Sequence, residues 1–90
     1  MITLIHHTDP GHGWFQVPAS ILRNLNTIDR VTKYSYYCPR TDTLFLEEDQ
    51  DVSLIIDPMR AAGESISIEE RFEESSFVRR LPRWQPTTGE

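Results

Sequence analysis

A chain of ninety residues can build one hydrophobic core and no more. Domains cluster at roughly 100 to 150 residues, so what one core leaves over cannot make a second. The hydrophobic share of 38% is that of a globular chain rather than a disordered one. We therefore predict a single α+β domain over residues 1–84 and a frayed C-terminal tail over residues 85–90.

Apolar and polar side chains alternate in several short segments, and turn-forming residues separate these segments. The densest group of turn formers is Asp9-Pro10-Gly11-His12-Gly13, and Pro39 to Asp42 form a second group. Alternation is typical of strands that are buried on one face. It predicts strands over residues 2–5, 14–17, 33–38, 43–48, 65–72 and 77–81.

Two segments carry apolar residues at helical spacing instead. Pro18 suits the first position of a helix that runs to about residue 25, where Asn26 can end it in a left-handed conformation. A second helix follows Asp49 or Asp51 as a cap and stops at Gly63, with Pro58 expected to kink or split it. The predicted order is β-β-α-β-β-α-β-β, a small antiparallel sheet with two helices on one face.

Neither a membrane span nor a secretion signal is indicated. No stretch approaches the roughly 18 apolar residues of a membrane helix, and the first apolar run meets His6 and His7 too early for a signal peptide. Cys38 is the single cysteine, which excludes an internal disulfide and favours a reducing compartment. These observations predict a soluble protein of the cytoplasm.

The acidic side chains are concentrated in the second half of the chain. Residues 1–45 carry four basic and three acidic residues, whereas residues 46–90 carry five basic and eleven acidic ones. An acidic surface repels the phosphates of nucleic acid and attracts basic proteins. We therefore expect a protein partner with a basic surface, without excluding a homodimer, and no nucleic acid.

Four acidic residues stand close together in this half: Glu47, Glu48, Asp49 and Asp51. They lie where a predicted strand gives way to a predicted helix, so their side chains should project from a fixed backbone and lose little entropy on binding. Helix capping and solubility are the alternative explanation. This acidic run is the candidate partner-binding site.

The basic residues near the C-terminal end are interpreted differently. Arg79, Arg80 and Arg83 are expected to pair across the last predicted hairpin with its acids Glu69, Glu70, Glu73 or Glu74. Glu70 is the one polar residue on the apolar face of that strand, which favours a bulge or a sheet edge over a buried functional carboxylate. Arginines neutralised in this way do not make a nucleic-acid patch.

His6, Asp9 and His12 offer nitrogen and oxygen donors for a divalent metal within seven residues. Their spacing matches no established motif. A turn at Asp9-Pro10-Gly11, in which the Asp9 carboxylate accepts from the backbone, explains the segment without a metal. We therefore expect no metal and no cofactor, and keep His6, Asp9 and His12 as an alternative metal site of a small metal-dependent enzyme.

No catalytic motif stands out. The Gly-His-Gly step at residues 11–13 is too short for a phosphate-binding loop, since it lacks both G-x-G-x-x-G and the Lys-Ser/Thr of a P-loop. No residue is assigned a catalytic role, and a non-enzymatic protein is favoured.

One segment resembles the half-repeat of swapped-hairpin transcription regulators and antitoxins. The residues that carry the resemblance are Gly13–Pro18, Ile21, Arg23, Leu25 and residues 29–31. This resemblance implies a dimer that binds DNA, which is the nucleic-acid alternative.

A more extensive resemblance links the chain to short bacteriophage and prophage proteins for which no activity is established. It implies a phage origin and transfers no site residue. It rests on four blocks: Asp9-Pro10-Gly11-His12-Gly13-Trp14, Tyr34-Ser35-Tyr36, Leu46-Glu47-Glu48-Asp49 and Ser76-Phe77-Val78-Arg79-Arg80.

The leading hypothesis is therefore a small acidic accessory protein that a phage encodes. It would act in the host cytoplasm by binding a host protein, with inhibition of a defence or regulatory factor as one possible outcome.

Overall fold

Five strands form one sheet in the computed structural model, which describes residues 1–85. Across the sheet their order is β3-β4-β2-β1-β5. All neighbouring pairs are antiparallel except β1 and β5, which are parallel. The strands are β1 Ile2–Thr8, β2 Gly13–Pro18, β3 Tyr36–Cys38, β4 Thr43–Glu47 and β5 Ile66–Phe72.

Two α-helices, α1 Ala19–Asn24 and α2 Ser53–Ala61, pack on one face of this sheet. The α+β class, the mostly antiparallel sheet and the two helices agree with the sequence prediction. Asn26 follows α1 with a φ of 60°, and Gly63 follows α2 with a φ of 82°, so both predicted helix stops adopt the left-handed conformation. Pro58 lies inside α2 without splitting it.

The predicted order is wrong at its end. Residues 77–81 do not form a strand that pairs back on β5; Phe77–Arg80 is a 3-10 helix. The Ser76 hydroxyl accepts from the Val78 N–H and so caps this helix, and the buried Val78 side chain anchors it on the sheet. Alternation alone could not distinguish a short apolar helix of this kind from a strand.

The pairing of β5 also differs from the prediction of a purely antiparallel sheet. Helix α2 carries the chain from β4 across to the far edge, where β5 lies beside β1, with Leu4 opposite Ile68. The α2 crossover brings the chain back to the level at which β4 began, so that β5 runs in the same direction as β4. Because β1 and β4 run in the same direction, β5 is parallel to both.

Both faces of the central strands are covered. The helix-bearing face holds the larger core, and the C-terminal 3-10 helix covers the opposite face, where Trp14, Tyr36, Phe45 and Val78 are buried together. No helix among residues 1–85 is long and apolar enough to cross a membrane. The larger core consists of Leu4, Phe15, Val17, Ala19, Leu22, Val31, Leu44, Leu46 and Ile55.

The Asp9 carboxylate connects the β1–β2 turn to the C-terminal 3-10 helix. It accepts from the backbone N–H groups of Gly11 and His12, which confirms the predicted turn, and also from the N–H of Ser76. Arg79 donates to both of its oxygens, at 2.6 and 2.9 Å. These donors hold the pKa of Asp9 well below its ordinary value of 3.8, and the Arg79 guanidinium has the largest effect. The pKa is lowered although the side chain is buried.

We expect Asp9→Asn to destabilise the fold by about 2 kcal/mol at neutral pH, because an amide cannot accept from all of these donors and leaves Arg79 without its partner. A carboxylate whose pKa is lowered by folding stabilises the protein above its ordinary pKa, and this contribution is lost as the pH falls toward the folded value. The free energy of unfolding, measured by urea denaturation, should therefore differ between Asp9→Asn and the parent at neutral pH. This difference should shrink from about pH 5 toward pH 2.

Asp57→Asn is the matched control, because it removes the same charge from an exposed position on α2. If the free energies of unfolding of Asp9→Asn and the parent differed by the same amount at every pH, this result would contradict the role given to the Asp9 carboxylate.

Candidate functional site

A pocket of about 230 Å³ opens on the sheet face that the C-terminal 3-10 helix covers. Its wall is built by four separate segments, which are the β1–β2 turn with the start of β2, the segment before β3 with its first residue, the end of β4, and the C-terminal 3-10 helix with the residues after it. The pocket thus gathers segments that are far apart in the sequence. It is lined by His12, Trp14, Tyr34, Tyr36, Glu47, Arg79 and Arg83.

Glu47, the last residue of β4, is the buried acid of this pocket, with 3% of its surface exposed. Its Oε1 accepts from the backbone N–H of Asp49 at 2.8 Å, and its own N–H donates to the Ser35 hydroxyl at 3.0 Å. The Glu47 Oε2 atom contacts His12 Nε2 but has no hydrogen-bond partner among the described residues. A buried carboxylate oxygen in this condition is energetically costly.

His12 reaches the pocket from the β1–β2 turn. Its Nδ1 atom lies 2.9 Å from the carbonyl oxygen of Gly11. Because a carbonyl oxygen only accepts, Nδ1 carries a proton, and Nε2 is the nitrogen that faces Glu47. The backbone of the turn therefore fixes the direction of this imidazole.

Two arginines stack on the aromatic rings of the pocket. The guanidinium carbon of Arg79 lies 5.1 Å from the centre of the Trp14 ring, and that of Arg83 lies 5.0 Å from the centre of the Tyr36 ring. Both distances are typical of cation–π contacts. The Trp14 Nε1–H, also buried, has no acceptor among the described residues. The pocket therefore contains a buried donor and a buried acceptor that the described chain leaves unpaired.

The acidic run does not project as a unit. Asp51 is 1% exposed, and its Oδ2 accepts from the Thr32 N–H, the Thr32 hydroxyl and the Ser35 hydroxyl, so it holds the loop before β3 and does not cap α2. Glu47 faces the pocket. Of the run, only Glu48 and Asp49 remain accessible to a protein partner. The expectation that all four acids project is wrong because Glu47 and Asp51 are buried, where each accepts from nearby backbone N–H or hydroxyl groups.

The three residues of the alternative metal site are not brought together. His6 lies on the helix-bearing face, where its ring stacks on Phe15 at 4.1 Å and its two nitrogens face Glu48 and Glu70. Asp9 is engaged by Arg79, and His12 faces the opposite side of the sheet. A different set is close: ligand atoms of His12, Glu47 and Asp49 all lie within 4.8 Å of one another.

Arg79 is occupied as expected, but its partner is Asp9 and not an acid of β5. Sequence reasoning missed this pair because 70 residues separate the two side chains. The expectation that Glu70 marks a sheet edge is confirmed, since β5 is the last strand of the sheet.

The β5 surface, which we define as Ile68, Glu70, Phe72 and the neighbouring Glu48, is the second feature that could serve a function. Ile68 and Phe72 are 53% and 58% exposed, although both lie on the helix-bearing face of the sheet. Glu48 and Glu70 flank His6 at 3.0 and 3.5 Å. The accessible part of the acidic run is thus continuous with the acids of β5.

Gly13 permits this continuity. A Cβ atom at residue 13 would come within 2.6 Å of His6 Nε2 and would also collide with the Glu48 carboxylate. Glycine at the start of β2 therefore lets Glu48 reach His6 across the strand.

Comparison of the chain with protein-family models, with curated proteins and with solved structures finds no match. The pocket and the β5 surface are the two features of the described residues that bear on function.

We expect Ser35→Ala to destabilise the protein by about 1 to 3 kcal/mol, because the hydroxyl both donates to Asp51 and accepts from the buried Glu47 N–H. Urea denaturation measures the loss. Ser20→Ala makes the same chemical change at an exposed position of α1 and should stay within about 0.5 kcal/mol of the parent. Equal stabilities of the two variants would contradict the assigned role of Ser35.

Proposed function

We propose that this protein is a small non-enzymatic accessory protein that binds a basic partner protein through β5. An extended segment of the partner adds to the outer edge of the strand and covers the β5 surface. The observation that carries the proposal is a sheet edge with two exposed large apolar side chains, Ile68 and Phe72, set among acids. Edges of this kind recruit extended segments.

The hydrogen bonds between β1 and β5 show which backbone groups of β5 are available to such a segment. The Ile2 N–H donates to the Ser65 carbonyl, and the Glu73 N–H donates to the Thr8 carbonyl. In a parallel ladder, alternate residues of a strand bond to the same neighbour. The odd-numbered residues of β5 therefore face β1, and Ile66, Ile68, Glu70 and Phe72 direct their N–H and C=O groups to the outer edge.

Charge specifies the chemistry of the partner. Residues 64–74 contain five glutamates and a single basic residue, Arg71, which is already paired with Glu69. A segment whose successive side chains on this face are apolar, basic and apolar would place the apolar ones on Ile68 and Phe72 and the basic one near Glu48 and Glu70. The preference for a basic partner follows from this complementarity.

The same charges oppose a dimer through β5. Two copies related by a two-fold axis would pair their β5 strands antiparallel. Such pairing brings the Glu69 and Glu70 carboxylates of both copies close to one another, and like charges across a strand pair are destabilising. Self-association at this edge is therefore disfavoured relative to binding of a basic segment.

The resemblance to phage and prophage proteins supports a host protein as the partner, with the host cytoplasm as the place of action. An accessory protein of this kind would inhibit a defence or regulatory factor by occupying a surface that the factor needs.

Charge reversal on β5 tests the proposal. We expect Glu70→Lys to weaken binding to the partner captured from host lysate by at least roughly tenfold, because like charges brought together across an interface are repulsive. Asp57→Lys is the matched control, since it changes the net charge equally at an exposed position of α2. Affinities of purified components, measured by calorimetry, provide the comparison.

Hydrogen exchange provides the second readout. On binding, the outward amides of Ile68 and Glu70 should become protected if the partner adds a strand. The proposal fails if the two variants bind equally well, or if the complex forms while these amides exchange as in the free protein.

A further inference from the structure

We propose that His12, Glu47 and Asp49 form a binding site for one first-row divalent transition metal ion, of which zinc and manganese suit the donors best. One imidazole nitrogen and two carboxylate oxygens are a ligand set that these ions accept. The site is independent of the β5 surface, since it lies on the opposite face of the sheet.

The contact between His12 and Glu47 is the first argument. The Gly11 carbonyl accepts from Nδ1, so Nε2 is the ring nitrogen that faces the Glu47 Oε2 atom. An imidazole nitrogen and a carboxylate oxygen that face each other in this way are a pair that one metal ion can bind. A backbone carbonyl that holds the other ring nitrogen is the usual outer-shell partner of a metal-binding histidine.

The buried oxygen of Glu47 is the second argument. Glu47 is 3% exposed, its Oε1 is held by the Asp49 N–H, and its Oε2 has no hydrogen-bond partner among the described residues. The hydrogen bond to Oε1 orients the carboxylate so that Oε2 is the atom left for a ligand. A metal ion would satisfy it.

The position of Asp49 favours a metal ion over a shared proton. A proton on His12 would pair with Glu47 alone, whereas the structure brings a second carboxylate to the same place, with all three ligand atoms within 4.8 Å of one another. Ligands of a tetrahedral zinc ion lie about 3.4 Å apart. Asp49 is exposed, so its side chain can close this gap by a change of rotamer.

The two arginines of the pocket leave the site attractive to a cation. The charge of Arg79 is balanced by Asp9, which it contacts through two nitrogens. Arg83 is stacked on Tyr36 and donates to the Lys33 carbonyl. Glu47 and Asp49 contribute two negative charges, and Arg83 contributes one positive charge that no acid among the described residues balances. The surroundings of the site therefore keep an excess of negative charge.

Isothermal titration of chelator-treated protein without a histidine tag tests the proposal. We expect one equivalent of Zn²⁺ to bind, and Mg²⁺ at the same concentration not to bind, because magnesium does not favour an imidazole ligand. His12→Gln and Asp49→Asn should each weaken zinc binding by at least about tenfold. Asp49 is exposed, so its variant should fold even if a change at Glu47 does not.

His6→Gln is the matched control. His6 also lies beside two carboxylates, but they face its two different ring nitrogens and cannot share one ion with it. Zinc affinity should be unchanged in this variant. Binding that is lost in His6→Gln, or that is retained in both His12→Gln and Asp49→Asn, would overturn the proposal, as would the absence of zinc binding by the parent at concentrations up to roughly 1 mM.

Paramagnetic Mn²⁺ locates the ion independently. Substoichiometric Mn²⁺ should broaden the amide signals of residues 11–13 and 47–49 first. Broadening that begins at residues 68–74 instead would place the ion among the acids of β5 and reject the site.

Discussion

The carboxylate of Asp9 is the interaction on which the rest of the structure depends. It terminates the β1–β2 turn through two backbone bonds and anchors the C-terminal 3-10 helix through Ser76 and Arg79. Arg79 in turn covers the Trp14 ring. A single buried charge thus positions the C-terminal 3-10 helix on one face of the sheet. Without this helix, the aromatic side chains of Trp14, Tyr36 and Phe45 would be exposed to water. Hydrogen bonds to an ionised group are among the strongest that a protein makes, which suits Asp9 to this position.

Local chemistry was predictable from the sequence, and long-range chemistry was not. The turn at Asp9, the left-handed stops at Asn26 and Gly63 and the edge position of Glu70 all follow from properties of the residue and its immediate neighbours. The 3-10 helix at Phe77–Arg80 and the parallel pairing of β5 depend on contacts across the whole chain. Alternation states that one face of a segment is buried, but it does not identify the neighbour that buries it.

The candidate sites show the same limit. The acidic run was visible as a cluster of charge, but the burial of Glu47 and Asp51 depends on the hydroxyls of Thr32 and Ser35, which belong to a loop that the sequence does not place. Likewise, His12 and His6 are neighbours in the sequence, yet the sheet separates them. Each takes a carboxylate from the adjoining residues Glu47 and Glu48, whose side chains leave opposite faces of the chain at the end of β4.

The connectivity of the sheet determines which parts of the protein can fold before synthesis is complete. The pocket joins residues of the β1–β2 turn to Arg79 and Arg83, and β1 pairs with a strand 64 positions further on. When only the first sixty residues have left the ribosome, β1 to β4 and α1 are exposed, but β5 and the C-terminal 3-10 helix that cover them are still missing. Proteins dominated by such distant contacts fold slowly for their size. For this chain, the nascent state presents Trp14, Phe45 and the outer side of β1 to the cell until the last quarter of the sequence emerges, and a chaperone that shields extended apolar segments would meet it then.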